Sequence, residues 1–150
     1  MENISAEWLR GRASLGAAGG WTAEEMRLVA DVGYALAEQG RADEAITIFE
    51  GLAALAPATA YFQASLGALW LRKGDPGRAV EYLDAALASD PADLNALTNR
   101  GEALLQLGER EAARRDLQRV ARSSADPRES ETDCVTRARA LLRADASADA

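Results

Sequence analysis

Histidine is absent from the 150 residues, and cysteine occurs once, at Cys134. The first absence removes the Ser-His-Asp and Cys-His catalytic arrangements together with the usual zinc sites. The second rules out an internal disulfide and fits a reducing compartment. Phosphate-cradling loops are missing as well, and Gly16, Gly19 and Gly20 follow no predicted strand, so they make no dinucleotide fingerprint. Carboxylates are numerous, yet nothing in the sequence pairs two of them in an apolar pocket. A non-enzymatic chain with no cofactor and no metal is therefore expected. Long apolar runs are lacking too. No stretch is long enough to span a membrane, and Met1 to Gly20 carries Glu2, Glu7, Arg10 and Arg12 where a signal peptide would be apolar. The expectation is a cytoplasmic protein, in which the Asn3-Ile4-Ser5 sequon has no glycosylation role. Cations are outnumbered: 17 Lys and Arg against 24 Asp and Glu leave a net charge of −7, with a pI near 4.7 and a mean hydropathy of −0.22. Such a chain has no electrostatic reason to seek nucleic acid or an anionic membrane.

What is present is periodic. Gly33, Gly67 and Gly101 are 34 residues apart; so are Gly40, Gly74 and Gly108, and again Ala45, Ala79 and Ala113, while Pro57 and Pro91 keep the same step. Glycine inside a helical pattern costs roughly 1 kcal/mol against alanine, so the first series needs a compensating cause. Close approach of two helix backbones would supply it, with Ala45, Ala79 and Ala113 as the small partners from the second helix. Gly40, Gly74 and Gly108 fall where a first helix must stop in positive φ. The prolines end the second helix by biasing the residue before them away from the α region. Val29, Val32, Leu36, Phe49 and Leu52 are the expected core of unit one, Leu66, Trp70, Leu83 and Leu87 of unit two, and Leu97, Leu104, Leu117 and Val120 of unit three. Self-similarity at about 34 residues is the signature of helix–turn–helix units of the tetratricopeptide (TPR) kind. The predicted fold is all-α: a TPR solenoid of three repeats, with an N-terminal helix before them and a C-terminal capping helix after them.

In chain order, residues 1–21 read as an N-terminal helix with Ile4, Trp8 and Leu15, followed by a glycine-rich link, or alternatively as a mobile tail. As a helix, the segment would dock on the repeats or on a second copy, giving a homodimer through this region. Thr22 and Glu25 form a capping box, flanked by a Trp21–Met26 hydrophobic staple. The repeats then occupy 22–127, in units of about 26–59, 60–93 and 94–127. Thr59, Asp75 and Asp93 are candidate helix caps, with Pro76 in a first helical turn. The helix from Arg110 to Arg122 bears Arg110, Arg114, Arg115, Arg119 and Arg122. It reads either as a docking stripe for an acidic partner or as a solvated face in which Glu109, Glu111 and Asp116 interleave. Residues 128–150 should hold a capping helix over about Glu131 to Arg143, with Val135, Ala138, Leu141 and Leu142 on one side, and a tail that frays after Ala144.

By analogy with TPR proteins, the first helix of each unit lines a concave groove. The analogy nominates Arg27, Ala30, Tyr34 and Glu38 in unit one; Tyr61, Ala64, Ala68, Leu71 and Arg72 in unit two; and Asn95, Thr98, Asn99, Glu102 and Leu105 in unit three. Two tyrosines for apolar anchors, small residues that admit a backbone and asparagines to bond it suit an extended peptide. The carboxylate clamp by which cochaperones grip heat-shock chaperones would fall on Ala30, Tyr34, Ser65, Asn95 and Asn99, where no cation is left to pair with a terminal carboxylate. From Glu24 to Asp126 the chain resembles the small acidic TPR chaperones that hold translocator proteins before type III secretion. The resemblance runs through Gly33-Tyr34-Ala35-Leu36 with Gln39-Gly40, Phe49-Glu50-Gly51-Leu52, Tyr61-Phe62 with Leu66-Gly67-Ala68, and Gly101-Glu102-Ala103-Leu104-Leu105 with Leu107-Gly108. It implies a cytosolic chaperone holding an extended apolar segment of a translocator-like client in the groove. The alternative is a generic TPR adaptor assembling a bacterial complex. Departures from the family pattern are Arg100 at a usually apolar position, Ala125 in place of the repeat proline, and the glycine-rich N-terminal segment.

Overall fold

The computed structural model describes residues 20–123 and 129–150, with side chains in the last segment from 133 onward. The predicted N-terminal helix, Ala125 and the start of the link before the last helix lie outside the described residues. Seven helices follow one another without a strand among the described residues: α1 (Ala23–Glu38), α2 (Ala42–Leu55), α3 (Ala60–Arg72), α4 (Pro76–Ser89), α5 (Leu94–Gln106), α6 (Arg110–Ala121) and α7 (Glu129–Ala148). The first six pair as α1/α2, α3/α4 and α5/α6, the second helix of each unit packs on the helix that follows it, and α7 packs on α5 and α6.

The turns follow from local chemistry. Gly40, Gly74 and Gly108 have φ of +77°, +84° and +81°, a region costly for residues with a Cβ. Each closes its helix with two backbone bonds: after α1, Gly40 N–H donates to Ala37 O at 3.0 Å and Arg41 N–H to Leu36 O at 2.9 Å. The same pair recurs after α3 and α5, which is the Schellman arrangement. Start signals hold as well. Thr22 and Glu25 form the reciprocal capping box, Asp75 accepts from Arg78 N–H, and Asp93 accepts from Asn95 and Ala96 N–H. Thr59 stands at the cap of α3 but its hydroxyl takes no capping bond.

The internal glycines work differently from the expectation. A Cβ on Gly33 would stand 2.8 Å from Phe49 Cε2; on Gly67 it would stand 2.7 Å from Leu83 Cδ2 and closer still to its Cγ; and on Gly101 it would stand 2.6 Å from Leu117 Cγ. Each glycine therefore makes a socket for a large side chain 16 positions on, rather than meeting the small residue at twelve. Phe49, Leu83 and Leu117 are the knobs, all almost completely buried. Ala45, Ala79 and Ala113 are fully buried nonetheless, where any larger side chain would overfill a dense core.

Two further corrections concern one core position and the C-terminal end. Val32 is exposed, since it faces the open side of α1 that no described element covers. The tail does not fray after Ala144: α7 continues to Ala148, and Asp145 is buried. The reason is the arginine helix. Arg110 Nε bonds Asp145 Oδ1 at 2.7 Å and Arg114 Nε bonds Asp145 Oδ2 at 2.5 Å, while both guanidinium groups also reach Asp149. Arg100, at its unusual position, is likewise paired, to Asp116 by two bonds and to Asp84 by a third.

Candidate functional site

Tyr34 on α1 and Tyr61 on α3 stand side by side on the first-helix face, their ring centroids 6.1 Å apart, with exposures of 45% and 46%. Each is backed by a buried ring: Tyr34 meets Phe49 edge-on at 5.7 Å, and Tyr61 meets Phe62 at 5.8 Å. Edge-to-face contact of this kind fixes ring orientation. Partial burial, and then the neighbouring Tyr34 hydroxyl, push the Tyr61 phenol well above its ordinary value, so it stays a neutral donor.

The tyrosine pair divides two hollows. One, of about 440 Å³, is bounded by Ala23, Met26, Arg27, Ala30 and Asp31 of α1 with Thr59, Tyr61 and Phe62. It is an open depression rather than an enclosed cavity, and its walls are mainly apolar. The second, of about 120 Å³, lies between Tyr34, Ala37, Glu38, Phe49, Ser65, Ala68, Leu69 and Arg72. Its rim is polar, with Glu38 and Arg72 facing across it and Arg72 donating to Ala37 O at 3.4 Å.

The fourteen nominated residues fall into three groups. Arg27, Ala30 and Tyr61 border the large hollow; Tyr34, Glu38, Ala68 and Arg72 border the small one. Ala64 and Leu105 are half-buried and border neither hollow, and Leu71 is buried. The polar residues of unit three already have partners. Cys134 of α7 donates to Asn95 Oδ1 at 2.5 Å, Arg137 bonds Asn99 Oδ1 at 2.9 Å and pairs with Glu102, and Thr98 is buried with its hydroxyl on Leu94 O at 2.7 Å. Burial and the nearby Asp93 hold the Cys134 thiol above its usual range. The capping helix thus engages the side chains that were expected to bond a peptide, and the two hollows just described belong to units one and two.

Sequence reasoning missed Ala23, Met26, Asp31, Thr59 and Phe62 around the large hollow and Ala37, Phe49, Ser65 and Leu69 around the small one. Asp31 had a readable signal, since it sits one helical turn from both Arg27 and Tyr34. Phe62 had none, because a buried aromatic reads as core from either side. Among the described residues no group of His, Cys, Asp and Glu is placed to hold a metal ion, and no helix is long and apolar enough to cross a membrane.

Comparison with the curated proteins gives no significant match. Solved structures do share the fold. SycD from Yersinia enterocolitica, solved in complex with a peptide of the translocator YopD, superposes with a TM-score of 0.76 at 19% identity, over 86% of this chain and 98% of that one. PcrH, from Pseudomonas aeruginosa, solved with the chaperone-binding region of PopD, gives 0.77 at 23% identity over 87% and 98%. The first TPR of Spaghetti (RPAP3), bound to an HSP90 peptide, gives 0.67 at 20% identity over 81% and 96%. At these identities the likeness concerns the fold. Two tetratricopeptide repeat family models match the sequence itself, over residues 31–93 and 71–129, and together reach from within the first 34-residue unit to the end of the third. The glycine sockets, the Schellman turns and these matches agree: the chain belongs to the tetratricopeptide repeat proteins.

Proposed function

We propose that the chain is a non-enzymatic cytosolic chaperone of the type III secretion kind, which holds an extended, partly apolar segment of a translocator-like client in its groove. The observation that carries this reading is the 440 Å³ hollow beside the exposed Tyr34–Tyr61 pair. An apolar client side chain would enter the hollow, with the tyrosines gripping the backbone beside it and Arg27 and Asp31 at the rim. Support comes from the fold shared with SycD and PcrH, both solved with client segments. The groove residues proposed to touch the client are Arg27, Tyr34, Glu38, Tyr61, Ala64, Ala68, Arg72 and Leu105. Ala30 forms a floor, Leu71 and Thr98 support from beneath, and Asn95, Asn99 and Glu102 contribute through the helix docked on them.

Coexpression with a translocator-like client tests the assignment. Tyr34→Ala with Tyr61→Ala should abolish co-purification and leave the client insoluble, while the variant's own circular dichroism and melting stay close to the parent, because both rings are half exposed. Undiminished co-purification would remove the groove from consideration. The same reading assigns a homodimer contact to the N-terminal segment together with the open edge of α1, where Leu28 and Val32 stand 57% and 53% exposed. Leu28→Arg with Val32→Arg should then yield monomers in sedimentation equilibrium; an unaltered dimer rejects that placement.

A further inference from the structure

Arg110 and Arg114 of α6 are engaged by Asp145 and Asp149, but the remaining arginines of that helix are not. Arg115, Arg119 and Arg122 are exposed, and none has an ion-pair partner among the described residues. Arg139 and Arg143 of α7 are exposed too and equally without a carboxylate. Arg139 donates to Ala121 O at 3.2 Å, which sets this row beside the last turn of α6. Elsewhere among the described residues, only Arg27 and Arg72 are cations outside ion pairs. In a chain of net charge −7, five of the seven unpaired cations among the described residues are therefore on α6, its C-cap and α7, where Arg139 meets the last turn of α6 and marks the seam between them. Glu111, one turn before Arg115, is the carboxylate on that face of α6 left without a cation.

We propose that this seam is a docking face for an acidic segment of a partner protein, separate from the groove. All five groups are guanidiniums, whose planar forks pair with carboxylates and keep their charge at any physiological pH. Along α6 they are three and four residues apart, an axial rise of about 4.5 to 6 Å. Alternate residues of an extended strand are about 6.6 Å apart, so successive acidic side chains on one face of a strand can meet successive arginines. A long polyanion is a poor match. Apart from these five arginines the chain carries 12 cations against 24 carboxylates, an excess that repels a polyanion reaching past the seam. The seam shares no residue with either hollow, so client and acidic partner can be bound together.

Fluorescence anisotropy on the full chain tests this, with a labelled peptide of alternating Glu and Ser about twelve residues long and its Lys–Ser counterpart as control. The Glu peptide should bind at about 50 mM salt and weaken about tenfold at about 300 mM, and the Lys peptide should not bind. Arg115→Glu with Arg119→Glu, and separately Arg139→Glu with Arg143→Glu, should each weaken binding about tenfold. Arg41→Glu with Lys73→Glu makes the same change in net charge elsewhere and should change affinity less than about twofold. Circular dichroism melts establish folding, and glutamine replaces glutamate in any variant that melts early. The proposal fails if the Glu peptide does not bind, if both double reversals bind as the parent does, or if the Arg41 and Lys73 change is as damaging. It also fails if sedimentation shows the seam variants losing a self-association, which would give the face to a second copy.

Discussion

Replacing Gly67 by alanine adds one methyl group, and the structure says where it goes: 2.7 Å from Leu83 Cδ2 and nearer still to Cγ, inside a core where Leu83 is completely buried. Cγ is not a free end that can swing away, so α3 and α4 must separate or Leu83 must leave its rotamer. Overpacking of this kind costs about 1 to 3 kcal/mol. Alanine regains roughly 1 kcal/mol of helix propensity, since Gly67 is in the middle of α3. The net destabilisation is then about 0 to 2 kcal/mol for alanine and larger for leucine, which cannot fit at all. A small net effect alone would not discriminate, so the assay is a double-mutant cycle by urea unfolding. Leu83→Ala should cost about 2 to 5 kcal/mol through transfer and cavity terms. In the double variant the methyl group enters the space that Leu83 vacates, and the two changes should couple favourably by about 1 to 3 kcal/mol. Gly40→Ala serves as the contrast: nothing stands near its Cβ, yet φ is +77°, so it should cost about 1 to 2 kcal/mol and show no coupling to Leu83→Ala. Strict additivity of Gly67→Ala and Leu83→Ala would refute the socket.

The C-terminal clamp should respond to acid. Arg114 and Arg110 hold the Asp145 and Asp149 carboxyls below the usual range, so their contribution is complete above the unfolded value of about 3.9 and is lost as pH falls through the lowered folded values. Thermal melts from neutral pH downward should show stability falling below about pH 4, and Asp145→Asn with Asp149→Asn should flatten that slope; identical slopes would reject the clamp. At the third unit, Arg100→Met leaves Asp116, bonded at 2.7 and 2.9 Å, without its cation. Urea unfolding should report a loss of about 1 to 3 kcal/mol, most of it recovered when Asp116→Leu is added; a double variant no better than the single would contradict the pairing.

The sequence alone settled what repeats. A glycine every 34 residues, a second glycine seven positions on and a proline at the end of the second helix are backbone requirements, and backbone requirements leave their mark on residue type. Caps are local as well, which is why Asp75, Asp93 and the Thr22–Glu25 box were legible. Partner choice across the fold was not. That Gly67 receives Leu83 rather than facing Ala79 depends on helix-packing angle, and no spacing encodes that angle uniquely. The same holds for the acidic tail, which composition reads as fraying until Arg110 and Arg114 lie alongside it. It holds again for Asn95, Asn99 and Glu102, which look like groove polar groups until Cys134 and Arg137 of α7 bond them. Periodicity fixes which side chains recur on each helix; only tertiary contact decides which of them remain open to a partner, because exposure is a property of neighbours far away in the chain.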